Sequence, residues 1–289
     1  MKIIPLPGRF SAYFQHLIWL GAILCAMMQF TSCGGGAQST SIQSGPPEPP
    51  KASGKTLANL HGPSGWAGYA LLPKAYQICN SCLPTGPEAT WLIAPGIGTP
   101  SKSGNATRFD IGGQTHFADV LWNNHLIGDF SSQGLPDSGG TLVPTLHNFT
   151  YDVYFYGTNL ASSQALEFDI NQFFNGQGFI WGNECRIAGG HEWDTWDNAQ
   201  AKWVPTGVPC NPVDNSWNHL TIQVQRTVDD QLVFKSISLN GVVNNLNITR
   251  SPGAAPSNWY GVTINYQMDG NTTQQPYSVY LDQLNFTYE

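Results

Sequence analysis

The sequence predicts an all-β domain of antiparallel sheets, and three observations predict it. No segment between 58 and 289 holds a helical period over a useful length. Short runs instead alternate apolar and polar residues, and Val, Ile, Tyr, Phe and Thr dominate them. Gly, Pro, Asn and Asp punctuate the runs as turn residues do. At this density the strands of one domain imply a two-sheet sandwich or a barrel. Alternation on a single face fits stacked sheets whose outer faces meet water.

Taken in order, the chain opens on an expected export signal over 1–33. Lys2 and Arg9 supply a positive region, and Leu17 to Phe30 supply an apolar run too short to span a membrane. Phe30-Thr-Ser-Cys33 before Gly34-Gly-Gly36 resembles a bacterial lipobox, with Phe30 where that pattern usually has Leu. The resemblance implies a lipid anchor on Cys33 and a bacterial cell-surface or periplasmic location; an ordinary cleaved signal would give a secreted protein. Residues 34–57 hold almost nothing apolar, and "SGPPEPPKASGK" (Ser44–Lys55) reads as an extended tether. The expected β-domain fills 58–289.

Within it, strands are predicted over Phe149–Tyr156, Gln164–Phe173, Trp217–Thr227, Gln231–Leu239, Trp259–Met268 and Tyr277–Tyr288. In the third, Leu220, Ile222 and Val224 share one face and His219, Thr221, Gln223 and Gln225 the other. Asn240-Gly241 is a hairpin turn signal. Four cysteines lie in the domain, and an exported chain meets oxidising conditions. The favoured pairs are Cys79–Cys82, a tight local loop, and Cys185–Cys210, a bracket around a Trp-rich segment. Cys79-Asn-Ser-Cys82 could also be half of a zinc site or a redox pair, but no matching second half is spaced correctly.

Charge narrows the partners. The chain has 12 basic and 19 acidic side chains. Without Lys2 and Arg9 it keeps 10 against 19, a net charge of −9 with no basic cluster. A nucleic-acid partner is therefore not expected. A surface poor in charge and rich in Asn, Gln, Ser, Thr and Trp fits neutral polar ligands, glycans included.

The candidate site is the run "EFDINQ". A regular strand sends Glu167, Asp169 and Asn171 to one face, with carboxyls two residues apart. Paired carboxyls can serve glycoside hydrolysis, and their proximity pushes one pKa up. They could equally be the solvated side of a sheet. Five of the ten tryptophans, Trp181, Trp193, Trp196, Trp203 and Trp217, follow closely. Sugar rings pack C–H faces on such planes, so Trp181, Trp193 and Trp196 are candidate binding residues, each also a candidate for the core. Tyr154 shares the polar face of its strand with Asp152 and could extend a cleft, or simply pair across strands. "MDGNTT" (Met268–Thr273) reads as a turn whose oxygens could hold a structural Ca²⁺, although an Asp-Gly turn needs no ion.

These features resemble the concanavalin A-like lectin/glucanase superfamily, and within it glycoside hydrolase family 16, whose motif reads Glu-x-Asp-x-x-Glu. The resemblance implies a two-sheet antiparallel jelly-roll sandwich. It also implies a nucleophile at Glu167, an assisting carboxylate at Asp169 and an acid/base at the position of Gln172. Gln cannot donate or take a proton near neutral pH. The expectation is therefore an exported protein that binds a neutral poly- or oligosaccharide in a Trp-lined cleft, with Asn171 and Gln172 among the binding groups. The alternatives are a glycoside hydrolase or polysaccharide lyase using a replacement acid, with Glu184, His191, Glu192, Asp194 and Asp197 in view, and a structural or adhesive cell-surface domain.

Overall fold

A computed structural model describes residues 54–62, 64–71, 89–113, 115–273 and 275–289. The expected signal, the lipidation at Cys33 and the Cys79–Cys82 pair lie outside them. One sheet contains β14 (Val242–Arg250), β13 (Leu232–Leu239), β12 (Trp217–Arg226), β6 (Asn148–Thr158), β17 (Tyr277–Tyr288), β4 (Ala106–Gly112) and β3 (Thr90–Ile97) in that spatial order. β1 (Lys55–Leu57) adds to the far end of β17, so Lys55, Thr56 and Leu57 belong to the sandwich rather than to the tether. The other sheet runs β11 (Lys202–Pro209), β10 (Glu192–Asp197), β9 (Asn183–Arg186), β7 (Ser163–Phe174), β16 (Gly261–Gly270), β5 (Asp119–Gly128) and β2 (Trp66–Leu71). β8 (Gln177–Trp181) joins β7 beside β9 and carries the short β15 (Gly253–Ala254). All pairings are antiparallel, and the chain passes repeatedly between sheets. The protein is a two-sheet antiparallel jelly-roll sandwich.

The predicted runs match β6, β7, β12, β13, β16 and β17 to within a few residues. Asn240 and Gly241 both take positive φ between β13 and β14, the backbone that a two-residue hairpin needs. Alternation holds almost strictly: Phe149, Tyr151, Val153 and Phe155 of β6 are buried, and their neighbours are half-exposed. Phe168 lies at the centre of the core, its ring 5.4 Å from Phe155, 5.3 Å from Tyr266 and 6.1 Å from Tyr151. Burying a ring of this size contributes about 3 kcal/mol. The disulfide Cys185–Cys210 forms as expected and ties β9 to the end of β11 around the β10 hairpin. Closing that 25-residue separation stabilises the fold by about 3 kcal/mol in the chain-entropy picture.

Candidate functional site

β7 pairs with β16 in constant register from Ala165 to Phe173. With no bulge there, parity assigns every side chain. Leu166, Phe168, Ile170 and Gln172 face the other sheet; Glu167, Asp169, Asn171 and Phe173 face away from it. Glu167 and Asp169 are nonetheless only 6% and 5% exposed.

Their neighbours come from four other strands. Glu167 is directly opposite Gln267 of β16 on one side and Glu184 of β9 on the other. Gln267 Nε2 donates to Glu167 Oε1 at 2.6 Å and to Asp269 Oδ1 at 2.9 Å. Asp119 of β5 stands opposite Asp269, and Asp194 of β10 opposite Glu184. Burial first, then the mutual repulsion of the other carboxylates, pushes Glu167, Glu184 and Asp119 well above the ordinary carboxylate range. Desolvation raises Asp169 and Asp269 to about 7. Arg186 bounds the cluster: its guanidinium forks onto Asp194 at 3.0 and 3.1 Å and reaches Glu192 at 3.1 Å.

Asp169 has a second task. β8 pairs with β7 from Ile170 onward and β9 up to Glu167, so a junction falls opposite Asp169. The Asn183 N–H donates to Asp169 Oδ1 at 3.2 Å, and Asn183 Nδ2 donates to the carbonyls of Phe168 and Trp181. Farther along the sheet the face becomes amide-rich. Asn123 Nδ2 donates to Asn265 Oδ1 at 2.6 Å, and Asn265 Nδ2 lies a long 3.5 Å from Asp169 Oδ2. Asn171 Nδ2 donates to Thr263 Oγ1 at 3.2 Å, while Asn171 Oδ1 is buried without a partner among the described residues.

Aromatic rings edge this face. Trp196 of β10 and Trp203 of β11 meet edge to face at 5.2 Å, both half-exposed. They close over Gly182, where a Cβ would come within 2.8 Å of Trp196 Cβ and 2.9 Å of the Trp203 ring. At the other end Phe173 packs against Trp259 at 5.1 Å, and Trp259 is exposed. From Glu167 to Phe173 the face runs roughly 20 Å along the strand.

Several expected site residues are elsewhere. Gln172 points into the core, not toward the acids. Its Nε2 donates to the carbonyls of Val143 and Leu146, and its Oε1 accepts from Arg226 Nε. The positions of the resembled Glu-x-Asp-x-x-Glu motif thus do not share a face here, and Gln172 is not the vacant seat of an acid/base. Trp181 and Trp193 are fully buried core residues, opposite Ile170 and Cys185 respectively. Tyr154 lies on the outer face of the other sheet, stacked on His219 at 4.2 Å, so it cannot line a cleft with Glu167. His191 is exposed in the turn between β9 and β10. Asp269 and Gly270 are strand rather than turn, and Asn271 Oδ1 is taken by Thr273. Among the described residues no group of three or more His, Cys, Asp or Glu is arranged to hold a metal ion.

Glu167, Asp169, Asn171 and Trp196 are brought together as expected. Of the replacement acids, the geometry singles out Glu184. The residues missed were Asp119, Asn265, Gln267, Asp269 and the Phe173–Trp259 pair. Phe173 was within reach, because it has the same parity as Glu167 in the same run.

No protein-family model matches this sequence, and no curated protein does. Solved structures give weak likenesses, and the three described next have TM-scores below 0.5. A carbohydrate-binding module of the β-sandwich superfamily is 9% identical at TM-score 0.37, covering 79% of this chain. This chain spans only 58% of that one. The cellulose induced protein Cip1 is 9% identical at TM-score 0.39, covering 76% of this chain and 96% of its own. Lectin II from Ulex europaeus is 10% identical at TM-score 0.40, covering 77% and 98%.

Proposed function

We propose that the domain binds carbohydrate on the outer face of its nine-stranded sheet. The observation that carries this reading is the composition of that face. Carboxyls, Asn and Gln crowd its middle, the half-exposed Trp196–Trp203 pair stands at its flank, and Phe173 with the exposed Trp259 stands at its end. Sugar hydroxyls both donate and accept, and amides beside carboxyls offer both roles. The apolar faces of a sugar ring need aromatic planes beside those polar groups. Retention on immobilised glycans tests it. Trp196→Ala and Trp259→Ala should weaken retention by roughly tenfold each, about 1.4 kcal/mol. Trp217→Ala, on the outer face of the other sheet, should leave it unchanged. If no glycan retains the wild-type protein, the adhesive-domain reading takes over.

One observation favours a second reading, glycoside hydrolysis. Residues directly opposite across strands hold their Cβ atoms about 4.5–5.5 Å apart, and Glu167 faces Glu184 in this way. Retaining glycosidases keep two carboxyls about 5–5.5 Å apart, one protonated and one ionised. In that case Glu167→Gln or Glu184→Gln would abolish release of reducing ends while binding persisted. The same proposal places the domain outside the cytoplasm, anchored through Cys33, and the Cys185–Cys210 disulfide supports an oxidising compartment. Cys33→Ala should then shift the protein from the membrane to the soluble fraction.

A further inference from the structure

We propose that the carbohydrate held on this face is cationic: an amino sugar whose free ammonium group sits over Asp169, beside Asn171 on the same face. This inference rests on the carbohydrate reading and adds the charge of the ligand. Glu167, Asp169 and Asp269 accept hydrogen bonds from amides on this face. The guanidinium of Arg186 is already committed to Asp194, Glu192 and the carbonyl of Gly189 at the edge of the cluster. Buried carboxyls of one sign are costly unless paired or protonated. In the free protein retained protons relieve that repulsion; a ligand ammonium can replace them while donating up to three hydrogen bonds.

Two further features point the same way. Asn171 is 3% exposed, shares the face with Asp169, and its Oδ1 acceptor has no donor among the described residues. An ammonium or the hydroxyl beside it supplies one. The Trp196 and Trp203 rings, packed over Gly182 on the same face, offer π surfaces to a cation, and such contacts strengthen when desolvated.

Calorimetric titration of the full chain tests the proposal, with glucosamine and galactosamine oligosaccharides matched in length, each as free amine and as N-acetylated form. The free-amine form should bind at least ~10-fold tighter. Raising the salt from 50 to 500 mM (about a threefold shorter screening length) should erode that preference. Asp169→Asn, with its fold checked by thermal melting, should bring the two forms close to equality. Equal binding of amine and N-acetyl forms by the wild type overturns the cationic ligand and leaves the carbohydrate reading standing. Binding of spermine as tight as that of the amine oligosaccharides overturns the amino sugar and the carbohydrate reading together. Binding of neither form overturns the inference, and the glycan retention assay then decides the carbohydrate reading separately.

Discussion

The two faces of strand β7 bury polar side chains in opposite ways. On the core face Gln172 is fully enclosed, and its amide nitrogen and oxygen are all matched: two carbonyls, and the guanidinium of Arg226. Arg226 in turn donates to Pro144 and Leu146 carbonyls and lies over the Phe174 ring. On the outer face Glu167 has carboxyl neighbours on three sides, and burial and their repulsion push it well above the ordinary carboxylate range. The first arrangement is closed, because nothing added to it would improve it. The second is improved by any group that brings positive charge or a donor. Satisfaction, rather than burial, separates scaffold from candidate site on this strand.

The comparison is broken most severely from the core side. Phe168→Ala should destabilise the domain by about 4 kcal/mol, since the rings around it cannot collapse into the cavity. A denaturant titration that finds less than half of that would mean the core is looser than its contacts imply. Gln172→Ala should cost about 3 kcal/mol by leaving buried carbonyls and Arg226 short of partners, with no change in glycan retention of the folded variant. A loss of retention at unchanged stability would return Gln172 to the binding face. Glu167→Gln should act in the opposite direction and raise stability by about 1 kcal/mol near neutral pH, because it removes one repelling carboxyl.

The pH profile sharpens the same contrast with a smaller effect. Desolvation holds Asp169 and Asp269 at about 7 in the folded chain, above their unfolded values. They bind protons more tightly when folded, so their contribution is complete below about pH 4 and fades as the pH rises through 7. The melting temperature should therefore fall between pH 5 and 8, and less so in Glu167→Gln. Asp282 works the other way. Burial would raise it, but hydrogen bonds from the Ser103 N–H and hydroxyl, Ser101 and the Lys102 N–H outweigh that and leave it at about 2. Its contribution is present above about pH 4 and is lost toward pH 2. A melting temperature flat from pH 5 to 8 would show that the acid face is better solvated than its burial suggests.

The sandwich was legible because alternation is enforced by burial on one face, and a strand cannot hide it. The inward set of β7, Leu166, Phe168 and Ile170, follows from parity alone. The same parity would have excluded Gln172, five positions from Glu167, and Trp193, adjacent to Asp194. It would also have admitted Trp196, two positions beyond Asp194. Motif likeness and tryptophan density were weaker guides than counting by two. What no local pattern contains is register. That Gln267 and Glu184 flank Glu167 depends on pairings of β7 with β16 and β9, and in the first case these span 100 residues. Asp269 read as a turn residue for the same reason: Asp-Gly suggests a turn until a neighbouring strand claims it.

Gly182 offers a way to tune the aperture of this face without touching its charge. The Trp196–Trp203 pair reaches its place only because residue 182 has no side chain. One methyl group there, in Gly182→Ala, would clash with both indoles and displace them. Long ligands would then be screened by shape while the electrostatics of the face stayed as they are. Selectivity for chain length and selectivity for charge would thereby become separable properties of one sheet.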